Sequence, residues 1–436
     1  MSRALIVAYA FPPTGGAGVQ RISKMVKYLP AHGVTPSVLT VSNPSVPVTD
    51  ASLTRDLPPD LDVIRARTFE PGYGAKKAAW EAAADASPSL RKQAVKTASG
   101  FVRQLMYPDV QLLWLPGATA ALAKTLVTSP PDVVLISGPP FSPFLLAPLA
   151  HARSAVILDY RDEWSVIRKN YEMTGAAIGN LIGDPLEALL LKRAEMVTTA
   201  TEEFRRDMLE RFPFLDPSSV VAIPNGYDRD DFPADLPAPP RDEFVISYVG
   251  TVFKLMSPKG LLAAVQKLHE REPELAKLLH VRFIGRIVDS EAALFEGMER
   301  YGVERVGYVA HEEAVRSLAT SHLVLVVLDD TDGVERMYPA KTFEAMAIGR
   351  PTLVLAPADS ALAHLVRKHE VGDLLPPRDE EAICAYLAQK LRAWRDGDRG
   401  VPASSPVDIE TFDRKNTAGR FADVMREAMR RRRDSS

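Results

Sequence analysis

Cysteine is almost absent. Cys384 is the only one in 436 residues, so no disulfide can form within the chain, and a reducing, cytoplasmic setting is expected. Neither sign of charge is in excess. The 53 Lys and Arg against 56 Asp and Glu leave a formal net charge of −3, which gives no overall drive toward nucleic acid. The 8 histidines are scattered without an HxxxH spacing, and with a single cysteine no zinc site is expected. No apolar run approaches the roughly 20 residues that a membrane-spanning helix needs. The apolar run at 4–10 is short and meets Phe11-Pro12-Pro13, so it reads as a first strand and not as a signal segment. Any membrane work is therefore expected from the surface.

What remains is an ordinary globular composition, with 46% hydrophobic and 25% charged residues, on a chain long enough for two or three domains. Leu5-Ile6-Val7-Ala8-Tyr9, Val38-Leu39-Thr40-Val41, Val133-Val134-Leu135-Ile136 and Val156-Ile157-Leu158 are continuous apolar runs. Such runs suit strands buried on both faces of a parallel sheet. A helix is expected at about 19–29, and an irregular helical insertion at 70–107. Four prolines at 231–241 suggest a stiff linker. The strand pattern then restarts at Val245-Ile246-Ser247-Tyr248-Val249 and recurs at 281–285, 323–328 and 352–355. Two βα arrays of similar size imply an α/β protein of two Rossmann-like, doubly wound domains facing across a cleft. The expected bounds are 1–225 and 226–411, with a C-terminal helix at about 412–436 packing back on the first domain.

Three segments carry candidate chemistry. Phe11-Pro12-Pro13-Thr14-Gly15-Gly16-Ala17-Gly18-Val19-Gln20-Arg21 follows a strand and opens a helix. Glycines there let backbone approach an anion at the helix start. The spacing is not GxGxxG and no acidic residue follows at the distance of a ribose grip, so a dinucleotide site is disfavoured; a plain βα turn is the alternative. Gly250-Thr251-Val252-Phe253-Lys254-Leu255-Met256-Ser257-Pro258-Lys259-Gly260 leaves the first strand of the second domain, where open α/β sheets bind ligands. Lys259 and Lys254 can converge on one phosphate there, or be solvated loop lysines. In Tyr338-Pro339-Ala340-Lys341-Thr342-Phe343-Glu344, Lys341, Thr342 and their amides suit a diphosphate. Glu344, one turn in, is either a capping glutamate or an acceptor for both hydroxyls of a ribose.

Taken in order, Gly250…Lys259-Gly260 and Lys341-Thr342-Phe343-Glu344-Ala345-Met346-Ala347-x-Gly349-x-Pro351 resemble the family 4 retaining glycosyltransferases of the GT-B fold. Pro224-Asn225-Gly226-Tyr227-Asp228 resembles the family's domain-junction segment, and Phe11-Pro12-Pro13-x-Gly15-Gly16-x-Gly18 its N-terminal glycine loop. The resemblance covers nearly the whole chain. It implies that Lys259 binds the donor diphosphate and Glu344 the nucleotide ribose. Lys341 and Thr342 would present amides to the phosphates, and Gly16, with Gly15, would approach from the N-terminal side. Gly250, Thr251, Lys254 and Tyr338 complete the expected donor site. Two departures stand out: Thr251 replaces the arginine common after the strand glycine, and Arg336, beside Glu335, stands where a glutamate is common.

Leu158-Asp159-Tyr160-Arg161-Asp162-Glu163-Trp164 resembles the D-x-R-D-x-W loop of bacterial surface-glycan transferases. Asp159 or Asp162 would act on the acceptor hydroxyl, or Arg161 would clamp both carboxylates. Ser137-Gly138-Pro139-Pro140-Phe141-Ser142 resembles the same subgroup and would line the acceptor side. Asp329-Asp330-Thr331-Asp332 contains a D-x-D, but lysines and helix starts can neutralise the phosphates, so no metal and no cofactor are expected beyond a UDP- or GDP-type sugar donor. The expected activity is sugar transfer of hexosyl or N-acetylhexosaminyl type to a hydroxyl, in cell-surface glycan or glycolipid synthesis. Glycosylation of a small natural product, a nucleotide-sugar epimerase or hydrolase, and a non-catalytic sugar-nucleotide-binding subunit are the alternatives. Lys76-Lys77, Arg91-Lys92 and Arg430-Arg431-Arg432-Arg433 suggest peripheral contact with the inner face of the cytoplasmic membrane, or in the last case a solvated helix end.

Overall fold

The structure is a computed structural model that describes residues 1–15, 17–46, 49–74, 76, 106–166, 176–232, 235–397, 399–401 and 404–435. Gly16, Lys77, Arg91, Lys92 and most of the insertion expected at 70–107 lie outside the described residues. The chain divides into two compact units, Met1–Pro224 with Thr417–Ser436, and Asn225–Asn416.

Among the described residues, seven strands build the first unit: β1 (Ser2–Val7), β2 (Val34–Val41), β3 (Asp62–Ala66), β4 (Val133–Gly138), β5 (Ala155–Tyr160), β6 (Met196–Thr199) and β7 (Val220–Ala222). They form one sheet in the order β3-β2-β1-β4-β5-β6-β7, with every pair parallel. Helices α1 (Ala17–Tyr28), α2 (Leu115–Thr128), α3 (Ala147–His151), α4 (Ala176–Leu191) and α5 (Glu202–Arg211) belong to this unit. Alternate residues of each strand feed two cores. Leu5, Leu39, Val134 and Leu158 pack with Trp114, Leu122 and Phe144. Ile6, Val38, Leu135 and Ile157 pack with Ile22, Val26, Phe421 and Met425. A strand that fills two cores has no polar side, which is why these runs read as unbroken apolar sequence.

One stretch corrects the expectation from run lengths. Val110–Thr128 is long and apolar enough, by length and composition, to cross a membrane. Its threonines, alanines and glycine interrupt any visible apolar run while the average stays high. In the fold its buried residues Trp114, Ala118, Leu122 and Leu126 repeat every four positions and belong to the sheet core. Trp114 Nε1 also donates to the carbonyl of Ala66 at 3.1 Å, tying the stretch to β3.

The long C-terminal helix α11 (Arg414–Asp434) buries Phe421, Ala422, Met425 and Ala428 against the first unit. Its basic end is consumed by ion pairs. Arg430 meets Glu427 and Asp434, each at 2.7 Å; Arg431 meets Asp216 at 2.9 Å; Arg432 lies 3.6 Å from Glu195. Three of the four arginines expected at a lipid surface are therefore partnered by acidic groups of the first unit or of the helix itself.

The second unit has six parallel strands, β8 (Phe244–Val249), β9 (Leu279–Ile284), β10 (Val303–Gly307), β11 (Leu323–Val327), β12 (Thr352–Leu355) and β13 (Asp373–Leu375). Their order is β10-β9-β8-β11-β12-β13. Helices α6 (Lys259–Arg271), α7 (His311–Ala319), α8 (Lys341–Ala347), α9 (Ala361–His369) and α10 (Glu380–Asp396) connect or follow them. The proline-rich stretch at 231–241 lies within this unit, because the chain changes unit between Pro224 and Asn225. Pro237 there accepts a hydrogen bond from Arg350 Nη2 at 3.1 Å.

Gly226 sits where the start of the second unit pairs with its end, at the Tyr227–Asp413 bridge. A Cβ on Gly226 would lie 1.9 Å from the carbonyl oxygen of Phe412. Gly226→Ala is therefore expected to destabilise the second unit by about 1–3 kcal/mol, as overpacking does, read by urea denaturation. Unchanged stability would mean that this approach is not tight.

Candidate functional site

In the second unit the loops after β8 and β9 run side by side. Gly250 and Gly285 take positive φ angles of 153° and 132°, and a Cβ on Gly285 would lie 2.2 Å from the carbonyl of Gly250. Val252 N donates to Arg286 O at 2.8 Å, and Val288 N to Val252 O at 3.1 Å. Thr251 is exposed, and its carbonyl accepts from the Tyr248 hydroxyl at 3.0 Å. Arg286, exposed on the adjoining loop, puts a cation next to the position where Thr251 departs from the family pattern. The loop is pinned lower down by Ser257, whose hydroxyl donates to Glu291 at 2.6 Å.

Helix α6 then begins at Lys259 without a side-chain cap. Gly260 follows because a Cβ there would lie 2.1 Å from the carbonyl of Pro377. Lys259 and Lys254 are both exposed, and among the described residues neither makes a hydrogen bond or ion pair. Two uncommitted ammonium groups on one loop, one of them in the first turn of a 13-residue helix, form an anion-attracting edge.

The third segment is organised around Glu344, which is 5% exposed. Lys341 Nζ donates to its two oxygens at 2.9 and 3.1 Å. His311, in the first turn of α7, has Nδ1 4.0 Å from Glu344 Oε1 and Nε2 3.1 Å from Asp231. Tyr338 lies edge-on to Phe343, with ring centroids 6.0 Å apart. The expected amide cradle is not available as drawn: Thr342 N donates to Pro339 O at 3.0 Å, and α8 has only 7 residues. The Thr342 hydroxyl is buried without a partner among the described residues. Glu335, beside the departure at Arg336, is taken up locally, its carboxylate accepting from Gly333 N at 3.0 Å. Asp329 of the D-x-D is held by Arg378, at 3.0 and 3.1 Å.

In the first unit Gly15 is half-buried in the loop after β1, while Gly16 lies outside the described residues. The D-x-R-D-x-W segment leaves β5. Asp159, fully buried, ends as a structural carboxylate and not as a base. Arg21 Nη2 donates to it at 2.9 Å, and the hydroxyls of Ser137 and Thr198 each donate at 2.7 Å. Burial pushes the Asp159 carboxyl up, but the Arg21 charge and these hydrogen bonds outweigh it and leave it below the ordinary carboxylate value. The clamp of both carboxylates expected of Arg161 is not formed; Arg21 pairs with Asp159 alone. Arg21 also donates to the carbonyls of Ile223 and Pro224, at 2.9 and 3.0 Å, and lies over the Phe421 ring.

Arg161 turns to backbone, donating to the carbonyls of Gly18 at 2.6 Å, Gly138 at 3.3 Å and Pro139. Asp162 is half-buried and forms no hydrogen bond or ion pair among the described residues. Burial raises its carboxyl above the ordinary value, opposed by Arg161 and Arg21. Asp162 thus remains the uncommitted carboxylate of the loop. Trp164 stacks on Phe141 at 5.0 Å, and with both rings only 2% exposed they pack the two subgroup-like loops together and present no free ring face.

Arg21 and Asp159 stand 138 positions apart, so no local pattern joins them. His311 is a single histidine before an acidic helix start, without a spacing to mark it. Arg21→Met would leave the Asp159 carboxylate buried and uncompensated, at an expected cost of about 3–5 kcal/mol. A depressed native pKa stabilises above the ordinary carboxylate value of about 3.9 and ceases to do so as pH falls through the native value. The deficit of Arg21→Met in urea titrations should therefore shrink on acidification; a pH-independent deficit would contradict the pairing.

Two sequence families match the chain. Residues 15–226 match the glycosyl transferase 4-like domain, and residues 243–392 match glycosyl transferases group 1. No curated protein matches by sequence. Among solved structures the chain is similar to the sucrose-phosphate synthase of Thermosynechococcus elongatus, at 15% identity and a TM-score of 0.58 over 100% of this chain and 94% of that one. It is also similar to Anabaena HepE in complex with UDP and glucose, at 12% identity and a TM-score of 0.56 over 100% and 98%. A structure described as a putative UDP-N-acetylglucosamine 2-epimerase from Listeria monocytogenes is similar at 13% identity and a TM-score of 0.52 over 96% and 94%. At these identities the structural likenesses speak for the fold, and the family matches speak for the class. With a 4-like domain followed by a group 1 domain, on two parallel-sheet Rossmann-like units, the chain belongs to the glycosyltransferases of the GT-B fold.

Proposed function

We propose that the protein moves a sugar from a UDP- or GDP-type donor to a hydroxyl acceptor, with retention at the anomeric carbon. The observation that carries this is Glu344, a carboxylate with a 7% exposed side chain, set between Lys341 and His311 on the same unit as the uncommitted Lys259 and Lys254. A nucleotide sugar needs both features: an acceptor pair for the ribose hydroxyls and fixed positive charge for the diphosphate.

The difficult step is departure of the nucleoside diphosphate. Negative charge grows on the β-phosphate as the anomeric bond breaks, and cations placed beforehand stabilise that charge more than they stabilise the bound donor. Lys259 supplies this at the start of α6, with Lys254 on the same loop. The reading asks for no metal. A front-face route, in which the acceptor attacks from the side that the leaving group vacates, needs no protein nucleophile. Asp162 is the carboxylate assigned to the acceptor hydroxyl, because Asp159 is committed to Arg21. The acceptor class assigned by resemblance to the surface-glycan subgroup is a cell-surface glycan or glycolipid precursor, hexosylated or N-acetylhexosaminylated in the cytoplasm at the inner membrane face. A small natural product is the second acceptor class.

A structure described as a putative epimerase is similar in fold, so the reaction itself must be assayed. Release of nucleoside diphosphate should depend on added acceptor; release without acceptor would favour hydrolysis, and none at all with donor bound would favour a binding subunit. Lys259→Ala should lower turnover by about 10²–10³-fold, the scale seen when one group that stabilises transition-state charge is removed. Thr251→Ala should stay within a few-fold of the unsubstituted enzyme. Equal and small losses in the two variants would overturn the role given to Lys259.

A further inference from the structure

We infer that Lys341 changes partners when the donor binds, and that this exchange makes the site select nucleotides against nucleosides. The inference rests on the assignment of Glu344 to the ribose. In the free protein that carboxylate is already taken: Lys341 Nζ sits on both oxygens, at 2.9 and 3.1 Å. A ribose diol must use the same oxygens, so it has to displace the ammonium. The Lys341 side chain is only 23% exposed, and losing its counter-charge in that setting is unfavourable unless another anion takes over.

A nucleoside brings no anion. It breaks the ion pair and leaves a half-buried ammonium without compensation. A nucleoside diphosphate brings the replacement on the same molecule, a phosphate joined to the ribose through its 5′ oxygen. The four-carbon stem of lysine allows the ammonium to leave Glu344 without moving α8. His311 and Asp231 complete the device. Their 3.1 Å contact holds the imidazole beside Glu344, 4.0 Å from its Oε1, so the carboxylate keeps a neighbour when Lys341 departs. His311 is a positioning residue in this account, and Lys341 a specificity-determining one.

The test is calorimetric titration of the full chain with uridine, UDP, guanosine and GDP, before and after Lys341→Met. Methionine keeps much of the stem and removes the charge. In the unsubstituted protein the diphosphate should bind far more tightly than its nucleoside. In K341M the nucleoside should tighten by about tenfold, since nothing has to be displaced, and the diphosphate should weaken by about tenfold. The ratio of the two constants should then fall by about a hundredfold. If K341M does not fold, Lys341→Gln, neutral on a similar stem, is read for the same fall in ratio. Equal weakening of both ligands, or an unchanged nucleoside constant, would overturn the exchange and leave Lys341 as a simple holder of Glu344. Failure of the unsubstituted protein to bind any of UDP, GDP, ADP or TDP would overturn the donor-site reading itself.

Discussion

Parallel strand pairing is the constraint on which the rest of the molecule depends. In both sheets every pair runs the same way, so each strand must be followed by a crossover that returns the chain to the opposite edge. All strand C-termini in a unit therefore emit their loops on one edge. In the second unit that edge collects Gly250 to Lys259 after β8, Gly285 and Arg286 after β9, and the segment leading to Lys341 after β11. In the first unit it collects the glycine loop after β1, the Gly138 loop after β4 and Asp162 after β5. Residues far apart in sequence become neighbours because the topology offers them the same edge.

Two buried carboxylates on these edges show how similar chemistry is put to opposite uses. Asp159 accepts from Arg21, Ser137 and Thr198, all held in packed secondary structure, and no oxygen is left for a ligand. It joins α1, β4, β5 and β6, and through Arg21 it reaches the last residues of the unit. Glu344 is satisfied by one flexible lysine and faced by one histidine. Its partners can be exchanged, and a buried charge with exchangeable partners is one that a ligand can use. This difference in who satisfies the carboxylate, more than burial or position, separates the structural residue from the candidate binding residue.

The strands buried on both sides were legible in the sequence because a two-sided environment leaves an unbroken apolar run. β1, β2, β4, β5, β8, β11 and β12 carry that signature, while in β9 His280 and Arg282 alternate with buried Leu279, Val281 and Phe283. The strands not legible lie toward the margins. β3, β7, β10 and β13 are the outermost strands of the two sheets, with at most one fully buried residue each, and β6 ends in two threonines. The helix starts at Lys259 and Lys341, with Glu344 in the first turn after Lys341, were legible from their spacing. Arg21 and His311 were not, since their roles come from partners 138 and 80 positions away. Thr342 misled because a helix start promises free amides, and here Pro339 claims one of them.

The central claim is that Glu344 binds the ribose of a nucleoside diphosphate through both hydroxyls. Comparing UDP and GDP with their 2′,3′-dideoxy analogues by calorimetry tests it most directly. Losing both hydroxyls removes two hydrogen bonds to a charged carboxylate, so the dideoxy analogue should bind about ten- to a hundredfold more weakly. In Glu344→Ala that difference should vanish. Equal affinity of the natural and dideoxy ligands for the unsubstituted protein would contradict the account.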